Sequence, residues 1–455
     1  MKKKLVSLLL VCVMAIMSLV GCGTKAASTT KVQTAETQGK VLNIWCWNTE
    51  FQSRFESYFS TSGKLPADIK VNFLVTPSDN NAYQNALDAK LLQQDAAAAD
   101  DKIDIFLVEA DYALKYVNTD YTLDVVNDIG LTKDDLSQQY QYTKDIVTNP
   151  SGIQKGVSWQ ATPGLFAYRR SIAKDVLGTD DPAKVQAQLS NWTSFNTVAA
   201  SAAAKGYKML SGYDDSYRTF SNNVAAPWVD SNNKINVDVN LMKWVDQTKT
   251  FTDKGYNNKT SLWDATWAKD QGPSGNVFGF FYSTWGINFT LLGNSLATPT
   301  KEGGKEEVGN GVYGDYAVCE GPQSYYWGGT WICAAKGTDD IPLVKDIMQT
   351  MTCDPTVAKT ITTDTQDYTN NMAAMTSIAS SNYSSAFLGG QNHIALFASV
   401  APKINMSNIS PYDQGLNEEF QKAFKDYFNG NVDKAKALEN FYKAAIEKYP
   451  NLSQK

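Results

Sequence analysis

Between residues 41 and 117 short apolar runs alternate with segments of helical period, and no other feature of the chain restricts its possible folds so strongly. VLNIWCW, IKVNFLV (69–75) and DKIDIFLV (101–108) read as strands. FQSRFESYF (51–59) carries Phe51, Phe55 and Phe59 at i, i+4 spacing. NAYQNALDAKLLQQD repeats Tyr83, Leu87 and Leu91 on one helical face, and YALKYV continues the alternation. Such repetition is resolved by an α/β layer architecture, with a parallel sheet under packed helices. The first strand fits that setting. Val41, Asn43, Trp45 and Trp47 share one face and Leu42, Ile44 and Cys46 the other, both largely apolar, as expected of a strand covered on both sides. Sheets of this type present ligands beyond the carboxyl ends of their strands. Trp47, Asn48 and Glu50 stand at the first such end; Glu109, Asp111 and Tyr112 stand at the third. Two readings of the first end apply: the tryptophans are core and Thr49 caps the next helix, or Trp47 and its polar followers face a ligand.

A chain of 455 residues exceeds one ordinary core, so two lobes are the default. The N-terminus is a targeting segment. Lys2, Lys3 and Lys4 precede an apolar run, Leu5 to Val20, of about 16 residues, shorter than the roughly 20 that a membrane span needs. It ends on LVGC, the lipobox pattern of bacterial lipoproteins, which predicts a signal peptide over 1–21 and a lipid on Cys22. Residues 22–40 are small and polar and read as a tether. The chain has 41 basic residues, three of them leader lysines, against 47 acidic ones, a net charge of −6 that falls to −9 without those three. An acidic body without a basic cluster excludes nucleic acid as the expected partner. Cys46, Cys319, Cys333 and Cys353 show no CxxC spacing and read mostly as buried thiols, with a Cys319–Cys333 pair left open.

Further along, GVSWQATPGLFAYRRSIAKDVLG (156–178) breaks at Pro163-Gly164, a candidate crossing between lobes. A long, mostly helical and aromatic region covers about 190–295. LWDATWAKD places Trp263 and Trp267 at i, i+4, which reads as core. The last 60 residues or so form helices, with a stripe of Leu416, Phe420, Phe424 and Tyr427 stopped by Asn429-Gly430. One histidine, His393, leaves no HExxH, no multi-histidine metal site and little for a Ser/His/Asp triad; it reads as structural. No phosphate loop is present, and no metal or cofactor is expected.

What remains is aromatic rings beside amides and carboxylates: Trp47/Asn48/Glu50, Glu109/Asp111/Tyr112, Trp159/Gln160, Trp228, Tyr282/Trp285 and Tyr325/Tyr326/Trp327. Carbohydrate requires that combination, because a pyranose has an apolar C–H face that stacks on an indole and a rim of hydroxyls that need fixed partners. Asp111 equally suits a helix cap, whereas a carboxylate directly after IDIFLV, Glu109, needs a partner. Trp285 and Trp327 adjoin Gly286 and Gly328-Gly329, where strands break.

Over about 41–449 the chain resembles the extracellular solute-binding proteins of ABC importers, in the sugar-binding family that includes maltose-binding protein. VLNIWCWNTE is similar to that family's first strand and site loop, and IDIFLVEADYALKYV to the unit where a carboxylate meets sugar. GVSWQATPGLFAYRRSIAKDVLG resembles its first lobe crossing, and YYWGGTWICAAKGTDDIPLVKDIMQTM its return through the first lobe. SPYDQGLNEEFQKAFKDYFNGNVDKAKALENF resembles its closing helices, with Asp413 near the cleft. The resemblance implies two α/β lobes, each a small parallel-rich sheet flanked by helices, with a ligand cleft between them. It implies lobe 1 from 41–160 and 321–390, and lobe 2 from 161–320 with closing helices at 391–455. The implied contacts are Trp47, Asn48, Glu50, Glu109, Asp111, Trp159, Trp285, Trp327 and Asp413. The implied function is capture of an oligosaccharide by hinge closure and delivery to a membrane permease. The receptor would be a monomer, lipid-anchored at the outer face of a bacterial cytoplasmic membrane, with no chemical step. The rivals are the same fold binding a peptide or other polar solute, and a surface glycoside hydrolase using Glu109 and Asp111. The insert around 207–230 departs from many relatives of that family and leaves the wall of the second lobe open.

Overall fold

Val41–Cys46 (β1) sends its two faces to different cores. Leu42, Ile44 and Cys46 are buried with Phe51, Phe55 and Phe59, and Trp45 is buried on the other side with Tyr83, Leu87, Leu91 and Phe106. The alternation read from the sequence is thus a real division of the packing. The computed structural model describes residues 39–455, so the leader, Cys22 and all but the last two tether residues lie outside the described residues.

Seven further strands complete the two main sheets: β2 (Lys70–Val75), β3 (Ile105–Glu109), β4 (Val157–Ser158), β5 (Gly164–Arg169), β6 (Gly279–Ser283), β7 (Tyr316–Cys319) and β8 (Thr330–Ala334). The first sheet has the order β2-β1-β3-β8-β4. β1 runs parallel to β2 and β3, and β8 runs antiparallel to β3 and β4. The second sheet has the order β7-β5-β6. Both of its pairs are antiparallel. The architecture is the two-lobed α/β arrangement expected, with one difference: the parallel-rich description holds for β1, β2 and β3 and not for the second sheet. Each of the strands GLFAYR, GFFYS and YAVC is buried along its whole length, and a run apolar on both faces carries no mark of direction.

This topology brings distant segments to one edge. The carboxyl ends of the parallel strands β1 and β3 lie side by side. β8 runs the opposite way, with Thr330 opposite Glu109 and Trp331 opposite Ser158. The Trp327–Gly329 turn that enters β8 and the Trp159–Gln160 segment that leaves β4 therefore reach the same edge. From there the chain crosses to Gly164, which pairs with Ser283, so the end of β6 and Trp285 are delivered to the crossing. Gly164 must be glycine: a Cβ there would lie about 2.0 Å from the Tyr325 ring.

Six helices matter below: α1 (Glu50–Arg54), α2 (Ala82–Leu91), α3 (Tyr217–Ser221), α4 (Ala265–Asp270), α5 (Asp413–Phe428) and α6 (Lys434–Lys448). α5 and α6 close a third core, in which Leu416, Phe420, Phe424, Phe428 and Phe441 pack on Tyr217, Trp228 and Trp244. Phe428, and not the half-buried Tyr427, completes the α5 stripe, and the helix stops at Asn429 before Gly430 with φ +78°. Burial of each such phenylalanine contributes roughly 1.5–3 kcal/mol. All four described cysteines are free; Cys46, Cys319 and Cys333 are buried, and Cys319 and Cys333 are not paired.

Candidate ligand-binding cleft

At the end of β1 the chain bends through Trp47, Asn48 and Thr49 into α1. Thr49 makes no side-chain capping bond; Asn48 Oδ1 accepts from the Glu50 amide instead, at 3.0 Å. Asn48 itself is exposed. Trp47 is half-buried, set edge-on against Tyr83 at 5.7 Å and Tyr112 at 6.2 Å. Tyr83 is pinned in turn, its hydroxyl donating to the carbonyls of Leu107 (2.7 Å) and Trp45 (3.1 Å). One face of the Trp47 pocket is therefore rigid.

At the end of β3, Glu109 Oε2 accepts from the Asp111 amide at 2.7 Å. The Asp111 carboxylate is taken by Arg218 in a two-pronged ion pair, with Nη1 on Oδ1 at 2.6 Å and Nη2 on Oδ2 at 2.5 Å. Arg218 stands in α3, so this pair joins the strand end of the first lobe to the second lobe. A second bridge runs through Gln414 of α5, which donates to Asn81 Oδ1 at 3.2 Å. Asp413, the first residue of α5, accepts from the Ser410 amide (3.0 Å) and hydroxyl (2.5 Å). Burial pushes the Glu109 carboxyl up to about 8, with the Asp111 charge adding and Arg218 opposing. Burial likewise raises Asp413 to about 7, against the Ser410 hydrogen bonds. Glu109, Asp111, Arg218 and Gln414 border a cavity of about 500 Å³ whose lining also includes Trp47, Asn81, Gln84 and Glu418. Asp413 lines a smaller pocket with Asp111 and Arg218. A shallow depression of about 590 Å³ lies elsewhere, between the first helix and Pro355–Thr365, away from every strand end just described.

A second group of site residues gathers at the crossing. Gln160 Nε2 donates to Glu50 Oε1 (2.9 Å) and Asp367 Oδ2 (3.0 Å). Burial and the neighbouring Asp367 charge raise Glu50 to about 7. Trp159 does not belong to this group. It is 1% exposed, packed against Phe51 at 5.2 Å, and has no face to offer a ligand. The reason is its place at the end of β4: period-2 alternation turns Trp159 into the core and Gln160 toward the crossing. His393 is fully buried beside the Gln366 carbonyl at 3.2 Å, and burial holds its imidazole down at about 4, as suits a structural residue.

Trp285 and Trp327 meet at 5.3 Å between centroids, and Trp285 Nε1 donates to the Trp327 carbonyl at 3.0 Å. Trp327 is 8% exposed, while Trp285 is half-buried. Gly328, φ +71°, lets the turn approach: a Cβ there would lie about 2.9 Å from Trp285 Nε1. Trp263 departs from the core assignment. The helix α4 begins only at Ala265, so Trp267 is buried but Trp263 precedes the helix and is exposed.

The structure thus assembles Trp47, Glu109 and Asp111 around one cavity, with Asp413 in a smaller pocket that shares Asp111 and Arg218. It places Glu50 at the crossing, and Trp285 of the second lobe against Trp327 of the first-lobe return. Sequence reasoning missed Arg218 and Asp367. Arg218 is one of four arginines in a chain whose other cations are lysines, which was the available signal; Asp367 had none.

No family model matches the sequence, and no curated protein does. Solved structures do. An extracellular solute-binding protein of family 1 superposes with a TM-score of 0.72 at 16% identity, over 90% of this chain and 100% of that one. The fold is that of the extracellular solute-binding proteins. The ABC-transporter-associated binding protein of B. animalis subsp. lactis Bl-04, solved with beta-1,6-galactobiose, matches with a TM-score of 0.64 at 15% identity, over 91% of this chain and 99% of that one. The sugar-binding protein MalE of Xanthomonas citri gives 0.65 at 14%, over 89% and 96%. Each of these neighbours bears the name of a binding protein and not of an enzyme. In this solute-binding fold the edge where β1, β3, β4 and β8 converge faces the second lobe.

Proposed function

We propose that the chain is the lipid-anchored receptor of an ABC importer, which closes about a hinge on an oligosaccharide and hands it to permease subunits in the membrane. The observation that carries this reading is the cavity shared by Trp47, Glu109 and Asp111 from the strand ends and Arg218 and Gln414 from the facing lobe. An aromatic ring beside carboxylates and amides matches the apolar face and hydroxyl rim of a sugar. The neighbours solved with sugars, one with a galactose disaccharide, support the ligand class. The anchor rests on LVGC and Cys22, and placement at the outer face of a bacterial cytoplasmic membrane follows from it. Among the described residues no helix is long and apolar enough to cross a membrane. The receptor is taken to act as a monomer, with lobe 1 at 41–160 and 321–390 and lobe 2 at 161–320 and 391–455. In support of the first three ranges, β1 to β4 and β8 share one sheet and β5 to β7 the other.

The hydrolase reading is disfavoured by one feature: Asp111 is engaged by Arg218, and Glu109 stands beside it on the same strand end, so the pair lines one side of a cleft instead of flanking a bond. A thermal-shift screen of the full chain against neutral oligosaccharides, with peptides as controls, tests the proposal. A ligand at 100 times its dissociation constant adds about 2.7 kcal/mol. For a chain of this length that is a rise of about 2–4 °C. A response to peptides and none to sugars would overturn the carbohydrate reading.

A further inference from the structure

Trp263 is the only exposed tryptophan among the described residues, at 57%, and Phe289 nearby is 80% exposed. Trp263 has φ +71°, in the left-handed region that bulky side chains avoid. That strained conformation is found where its ring lies nearly parallel to Trp285, 15° between planes at 6.2 Å, and edge-on to the buried Trp267 at 5.3 Å. Trp267 is fixed from behind by its own hydrogen bond to Asp215, at 2.9 Å. Phe289 meets Trp285 at 6.5 Å from within a π-helical turn, Ile287–Leu291, a local irregularity often found at functional sites. The same turn leaves Asn288 Oδ1 and Thr290 Oγ1 buried without a donor. Trp263 and Phe289 both meet Trp285, and Trp263 also meets Trp327 at 6.0 Å, so the exposed rings are continuous with the Trp285–Trp327 pair. Asp264 and Asp214 flank the Trp263 segment.

We propose that Trp263, together with Phe289, is a stacking surface that adds a pyranose position to the cleft and takes a neutral sugar unit of a longer oligosaccharide. Strained backbone around an outward-held ring is a feature that folding alone does not require. Two exposed rings joined through the half-buried Trp285 form an apolar patch of the kind that marks a binding surface. A neutral sugar fits because its C–H face stacks on the rings and it brings no anionic charge toward Asp264 and Asp214. The inference rests on the oligosaccharide reading above and goes beyond it in assigning a unit position and the residues that hold it.

The test is calorimetric titration of the full chain, wild type and variants, with neutral gluco-, galacto- and xylo-disaccharides and their longer homologues. Trp263→Ala should weaken binding of the longer homologues about threefold to tenfold, the scale of one aromatic stack, and leave disaccharide affinity unchanged. Trp263→Phe should retain most of the affinity, and the unliganded melting temperature should not fall, because the ring is exposed. Wild-type affinity for every homologue in Trp263→Ala would overturn the added position alone. An equal loss for disaccharides and longer sugars would also overturn it, by placing Trp263 in the first position. Intact sugar affinity with lost uptake in cells would assign the rings to permease docking and overturn the inference. No sugar binding by the wild type would bring down the oligosaccharide reading and this inference with it.

Discussion

The two walls of the cleft are built from different physics. On the first-lobe side, Glu109 and Asp111 are placed by the end of a parallel strand and held by hydrogen bonds, with Arg218 reaching across to neutralise one of them. On the other side, Trp285 of the second lobe meets Trp327 of the first-lobe return, with Trp263 beside both. Turns place these rings, two with left-handed backbone close by, and ring contacts hold them. The charged wall discriminates by hydrogen-bond geometry and responds to pH. The aromatic side offers ring area, with a titrating group, Asp215, behind Trp267 and raised to about 6 by burial. A sugar receptor needs both, since stacking supplies area and polar groups reject the wrong stereochemistry.

Substitutions separate these contributions, beginning with a core control. Trp159→Ala should cost about 3–5 kcal/mol of stability in denaturant titration, as a large buried side chain does. In the fraction that remains folded, ligand affinity should be unchanged; a selective loss of affinity without loss of stability would return Trp159 to the site. Next comes the pair that joins the lobes. Arg218→Ala leaves a mostly buried carboxylate without its partner and should cost about 2–3 kcal/mol. The double variant Asp111→Ala/Arg218→Ala should be less destabilised than the sum of the singles, and strict additivity would show that the pair is not formed in solution.

The pH response is smaller and is led by the charged wall. Glu109, near 4.5 when unfolded and about 8 when folded, binds more protons in the native state between these values. Stability therefore falls as pH rises through that window. Asp413 and Glu50, both raised to about 7, act in the same direction. Asp104, raised to about 7, and Asp215, raised to about 6, also add in that direction, and His393, held down at about 4, opposes below its ordinary value. Melting temperature should be highest near pH 5 and decline toward pH 8, and Glu109→Gln should flatten the decline. A curve that rises over that range would refute the protonated native carboxyls. Trp285→Ala, by contrast, should weaken sugar binding by about 0.5–1.5 kcal/mol to the same degree at both ends of the range. The smallest expected effect is that of Asn48→Ala, about 0.5–1 kcal/mol through loss of its capping bond to Glu50, read by thermal melting.

Much of the first lobe was legible along the chain. β1, β2 and β3 follow local period-2 alternation, and the Phe51/Phe55/Phe59 and Tyr83/Leu87/Leu91 stripes are buried as their spacing requires. Strand ends advertised Trp47, Glu109 and Asp111 because a carboxylate or amide closing an apolar run has nowhere to go but the sheet edge. The second lobe was less legible. Its strands are apolar on both faces, so direction is set by their partners, and β6 arrives more than a hundred residues after β5. Trp263 and Trp267 share a helical spacing but not a helix, since the backbone at Trp263 turns left-handed before α4 begins.

By itself, then, the sequence determined which segments are strands and helices, which faces are apolar, and that aromatic and acidic residues close the strands, because those properties reside in local periodicity and composition. Tertiary structure alone decided that Arg218 neutralises Asp111 from 107 positions away, that Gln160 rather than Trp159 faces the crossing, and that Trp263 stands in solvent beside Trp285. Pairing, burial and exposure of that kind depend on which distant chain arrives opposite a side chain. No local spacing encodes that arrival.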